Sequence, residues 1–178
     1  MNPEESKARI LRVVGSLRDS GSWAGQTHVQ KTVYILQETV EISFGFDFIM
    51  YIYGPFSFAL KDTVGELLAD ALLAVEPQPA PYRPKLKLTE RGATFVETHQ
   101  LPAEFSNGHL RDQIAHLAPM GVVELERLST AIYVLKNRNG DGENPTQELM
   151  RIKPHIVETE AQAAITEAKK MLNGRSLE

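Results

Sequence analysis

Asn137, Asn139 and Asp141 stand at alternate places in a polar stretch, with Gly142 next and Glu148 further on. Counted from Asn137, these are places one, three, five, six and twelve of a calcium-binding loop. In such a loop the oxygens wrap a hard cation and the glycine makes the sharp turn. Charge and closure oppose the match. The first place holds a neutral amide, and Asn144-Pro145 stands where an apolar residue would close the loop. The same stretch reads as a connector ending in an N-cap asparagine and a first-turn proline. The histidines (His28, His99, His109, His116 and His155) are dispersed. His109 and His116 share a face but lie too far apart for one metal without a third ligand, and Asp112 with His116 makes an ordinary i,i+4 pair. With no cysteine in the chain, thiolate sites, thiol nucleophiles and disulfides are excluded. No nucleophile elbow, phosphate loop or dinucleotide fingerprint occurs. The expectation is a protein that is not an enzyme, with no metal and no cofactor.

What remains is binding chemistry. Tyr82, Arg83, Lys85, Lys87 and Arg91 form a basic stretch that could meet a nucleic-acid backbone or minor groove. Alternating lysines on a strand also protect a sheet edge and keep it soluble. Net charge is −4, whereas DNA binders gain much of their affinity from a basic surplus. Edge protection is therefore the favoured reading. The second cluster is aromatic: Phe44, Phe46, Phe48, Tyr51, Tyr53, Phe56 and Phe58. Alternation sends about half of such a run into a core. Tyr51, Tyr53 and Phe56 are the candidates for an exposed remainder that anchors a partner protein, with Lys31 and Tyr34 near that edge.

Elements must position these residues. The chain has 178 residues, 42% of them hydrophobic, enough for one domain with a sizeable core. No run approaches the ~18–20 apolar residues of a membrane span, and the acidic N-terminus is no signal peptide, so a cytoplasmic location is expected. Ile10, Val13, Val14 and Leu17 give one face of a helix over 4–19. A second helix starts near Thr27, where Thr27-x-x-Gln30 has capping-box spacing. Residues 44–53 read as a strand that Pro55 breaks. Ser57 caps a third helix carrying Leu60, Val64 and Leu67. Residues 72–76 and 85–88 read as strands flanking a proline-rich loop, and Thr89 opens a helix to about His99. That order is the order of a winged helix.

After Leu101-Pro102 the pattern turns helical. Leu110, Ile114 and Leu117 mark one element, and Leu125, Leu128, Ile132 and Leu135 a longer one over 122–137. A short helix follows Asn144-Pro145 and ends at Lys153-Pro154-His155. A last helix over 158–172 has an alanine face (Ala161, Ala164, Ala168) suited to close helix contact, within the chain or in a homodimer. The predicted fold is α+β: a winged-helix-like unit over 4–99 packed on a helical unit over 107–173, mainly helical with a small antiparallel sheet.

Lys31-x-x-Tyr34-x-Leu36-Gln37, then Tyr51-x-Tyr53-Gly54-Pro55-Phe56-Ser57, then Leu88-Thr89-x-x-Gly92, resembles the SocA-like Panacea domain. Leu128-Ser129-Thr130-Ala131-Ile132-Tyr133 and Lys153-Pro154-His155 resemble the related YwgA-like, phage-associated proteins. The resemblance implies an antitoxin-like binding protein that docks a partner, with no enzymatic activity. The alternative is a winged-helix DNA-binding regulator using the stretch from Tyr82 to Arg91.

Overall fold

The computed structural model describes residues 2–40, 42–80, 82–105, 108–137 and 144–174. Among these the fold is mainly helical, with two separate two-stranded antiparallel sheets. The first helix, α1, spans Pro3–Asp19 and is capped by Asn2, whose side chain accepts from the Glu4 amide. The second, α2, spans Gln26–Thr39, and nearly all of it is buried. It begins at Gly25 without a side-chain cap, so the expected Thr27–Gln30 capping box does not form. Gln30 bonds instead to the distant Ser57 backbone.

The expected strand over 44–53 is mostly irregular. Only β1 (Ile49–Tyr51) is paired, with β2 (Gly54–Phe56). Gln37 supplies the physical reason. Its side-chain amide donates to the Phe46 carbonyl at 2.9 Å, and its oxygen accepts from the Phe44 amide at 3.4 Å. The backbone there is satisfied by a side chain where a ladder would need a partner strand. Pro55 does not break the strand either. It lies inside β2 opposite Met50, which a two-stranded sheet allows because each strand is an edge.

Helix α3 (Phe58–Ala69) follows, capped by Ser57 as its sequence predicts. Strands β3 (Leu73–Glu76) and β4 (Lys85–Leu88) form the second hairpin, registered Leu73 opposite Leu88 and Glu76 opposite Lys85. Helix α4 (Glu90–Thr98) is capped by Thr89. A Cβ at Gly92 would stand 2.0 Å from the Leu72 carbonyl oxygen, so only glycine lets α4 sit this close to the start of β3.

A short 3-10 turn, Ala103–Phe105, leads to α5 (Gly108–Leu117), α6 (Val122–Lys136), α7 (Pro145–Ile152) and α8 (Glu158–Asn173). Asn144 caps α7 as expected, its side chain accepting from the Thr146 amide at 3.0 Å. Ala161 and Ala168 are fully buried where α8 packs on α6. One hydrophobic cluster runs from Ile10 on α1 to Met171 on α8, so α5–α8 complete the core that α1 and α2 begin. No described helix is long and apolar enough to cross a membrane.

Candidate functional site

The β1–β2 hairpin rests on charge. Lys31 on α2 is 2% exposed, and its ammonium donates to the Pro55 carbonyl at 2.8 Å. Lys153, the residue that ends α7, is 3% exposed and donates to the Ile52 carbonyl at 3.1 Å. Lys153 also pairs with the Glu126 carboxylate of α6 at 2.5 Å. Two ammonium groups therefore hold the hairpin carbonyls from below, with one carboxylate beside them. Burial lowers the Lys31 amine to about 8, partly offset by Glu126 and reinforced by the like charge of Lys153.

Glycine makes this approach feasible. Gly54 has φ +84°, and a Cβ there would come within 2.7 Å of the Thr130 hydroxyl on α6. Ile52 and Tyr53 form the turn, and a glycine in the left-handed region after such a turn restores the strand twist. Beyond the hairpin, Gln30 grips Ser57 from both sides. Its amide donates to the Ser57 carbonyl at 2.9 Å and its oxygen accepts from the Ser57 amide at 3.0 Å. Gln30, Lys31 and Gln37 thus fasten successive points of the segment from Phe44 to Ser57 onto one helix.

Above these anchors the hairpin is apolar and open. Tyr53 is 67% exposed, Phe58 50% and Tyr51 47%, with Ile49 and Ile52 exposed beside them. The rings of Tyr51, Phe56 and Phe58 touch one another at centroid distances of 5.1–5.7 Å. The outer edge of β1 has no strand partner among the described residues.

The sequence-expected docking set is thereby divided. Tyr51 and Tyr53 lie on the open surface, and Phe56 is half-buried. Lys31 and Tyr34 are not at a surface edge, which corrects their expected place. Lys31 is an anchor, and Tyr34 is buried edge-on against Phe48, its hydroxyl held above the usual range by burial. Spacing along α2 makes the two look superficial, but Phe48 covers Tyr34 and the β1–β2 hairpin covers Lys31. Sequence reasoning missed Glu126, Thr130 and Lys153 as parts of this floor. Lys153 carries no signal beyond ending a helix within a short motif, and its partners lie in distant elements.

The basic stretch runs from the loop of the other hairpin through β4 into the first turn of α4. Tyr82, Arg83, Lys87 and Arg91 are exposed. The Lys85 ammonium sits 4.4 Å from the centroid of the Trp23 ring, which Tyr82 also contacts at 5.3 Å. On α3, Glu66 and Asp70 both pair with Lys7 of α1.

Of the calcium-loop candidates, Asn139 and Asp141 lie outside the described residues. Asn137 ends α6, donating its side-chain amide to the Tyr133 carbonyl at 2.9 Å. Glu148 belongs to the first turn of α7. No group of three or more histidines and carboxylates that could hold a metal occurs among the described residues. A scan against protein-family models found no match, and a search of curated proteins found none similar to this chain.

Proposed function

We propose that the chain is a non-enzymatic, antitoxin-like or phage-associated binding protein that docks a partner protein on the β1–β2 hairpin. The observation that carries this reading is an exposed aromatic surface on a hairpin held on buried charge, with Tyr51 and Phe58 in ring contact and Tyr53 exposed at the adjoining turn. Exposed clusters of large apolar side chains mark interaction sites more often than isolated ones do. Buried polar anchors hold the hairpin in one shape, which lowers the entropy lost on binding. The partner is a protein with an extended apolar segment, which would add to the free edge of β1 and cover the rings. The test is affinity purification of the tagged chain from its native host. A specific protein should co-purify with wild type and be lost with Tyr53→Ala or Phe58→Asp, both folded by circular dichroism. Recovery of the same proteins with all three chains would overturn the reading.

A second reading, a winged-helix DNA-binding regulator, draws support from the exposed Tyr82 and Arg83 in the β3–β4 loop, Lys87 on β4 and Arg91 on α4. It requires a steep loss of duplex binding with salt and its abolition by Lys85→Glu with Lys87→Glu. The acidic residues of α3 weigh against it, since that helix would enter the groove.

A further inference from the structure

Two cavities meet between the hairpins. One, about 530 Å³, is lined by Lys31, Lys61 and Arg83 together with Tyr53, Phe56 and Glu126. The other, about 680 Å³, is lined by Trp23, Tyr82, Val75, Leu86 and His28. Gln26, Thr27, Arg83 and Val122 line both, so the two are lobes of one cleft. Each lobe has the size of a small-molecule site.

Their chemistry differs. In the first lobe Lys61 and Arg83 have no side-chain hydrogen bond or ion pair among the described residues. Lys31 has one hydrogen-bond partner there, the Pro55 carbonyl, which leaves two N–H donors unused. The carboxylate on that wall, Glu126, is engaged by Lys153. The lobe therefore holds an excess of positive charge. The first turn of α2, uncapped by any side chain, lines both lobes and adds amide donors of the same sign. The second lobe is aromatic and aliphatic, with Tyr82 exposed and in contact with Trp23.

We propose that this cleft binds a small anion carrying a planar ring, of the nucleoside-phosphate class. Its phosphate would lie among Lys31, Lys61 and Arg83, and its ring against Tyr82 in the Trp23 lobe. Arginine and lysine pair with phosphate through charge-assisted bonds, and a heteroaromatic ring stacks on an exposed tyrosine. Tyr53 borders this cleft as well as the proposed docking surface, so the two ideas are told apart by Phe58→Asp, which lies outside the cleft, and by Tyr82→Ala, which lies outside the docking surface.

Trp23 is the single tryptophan, so its emission reports on the site directly. The full chain would be titrated with AMP, followed by Trp23 fluorescence and by calorimetry, with adenosine and inorganic phosphate as half-ligands. AMP should bind more tightly than either half. Lys61→Ala with Arg83→Ala should weaken AMP and phosphate by about tenfold or more, and Tyr82→Ala should weaken AMP and adenosine but not phosphate. All three positions are exposed, so these variants should fold. Absence of both heat and emission change with AMP would overturn the proposal. So would AMP affinity that is equal in wild type and the Lys61→Ala/Arg83→Ala protein.

Discussion

The two hairpins of this molecule are built with opposite polarity. The β3–β4 hairpin follows the usual scheme: Leu73 and Leu86 are buried beneath it, and Lys87 faces water. In β1–β2 the ammonium groups lie beneath and the rings lie outside. The first arrangement gains stability from the transfer of apolar surface out of water. The second forgoes much of that gain and desolvates charge as well. A sheet of three residues per strand built this way is poorly explained by stability alone. It fits the docking role proposed for its outer face.

The comparison can be broken most severely at Lys153. Lys153→Ala should leave the largely buried Glu126 carboxylate without its ion pair and cost about 2–3 kcal/mol in urea unfolding. Pairing Lys153→Met with Glu126→Leu should recover much of that loss. If Lys153→Ala is neutral, the hairpin does not depend on its charged floor.

The pH dependence of stability is the next lever. Burial lowers the folded-state pKa of Lys31 from 10.5 to about 8. Between these values the unfolded chain holds a proton that the folded chain has released, so stability should rise as pH increases from 8 toward 10. The gain should reach at most about 3 kcal/mol, at ~1.4 kcal/mol per pH unit. Above pH 10 the buried Tyr34 hydroxyl acts oppositely, because the unfolded tyrosine ionises first. Lys31→Met should flatten the rise between pH 8 and 10. An unchanged slope in that variant would assign the effect elsewhere.

A Cβ at Gly54 sharpens the contrast without touching charge. Gly54→Ala should cost about 2 kcal/mol through its positive φ and the Thr130 contact, read as a lower thermal midpoint. The smallest effects belong to the outer faces. Tyr53→Ala and Lys87→Ala should each shift stability by no more than ~0.5 kcal/mol. Only the former should reduce partner capture.

Much of the architecture was legible because local signals and burial agree. The helix stripes, the Ser57, Thr89 and Asn144 caps, and the 72–76 and 85–88 strands all stand near where their residues predict. The strand over 44–53 misled because alternating aromatics look alike whether a partner strand or Gln37 satisfies their backbone. Thr27-x-x-Gln30 misled because spacing records what a side chain could reach locally, and Gln30 bonds Ser57 across the fold. Tyr51 and Tyr53 were legible as an exposed remainder. The charged floor was not, since Lys31, Glu126 and Lys153 share no motif.

The bond from Lys153 to the Ile52 carbonyl spans 101 positions of chain. During vectorial synthesis the turn at Ile52 emerges from the ribosome long before the residue that fastens it. For that interval its rings stand on an incomplete seat while already exposed to other nascent chains. A protein expressed without its last quarter should then be a sticky fragment, prone to capture by chaperones, and not a smaller working version of the whole.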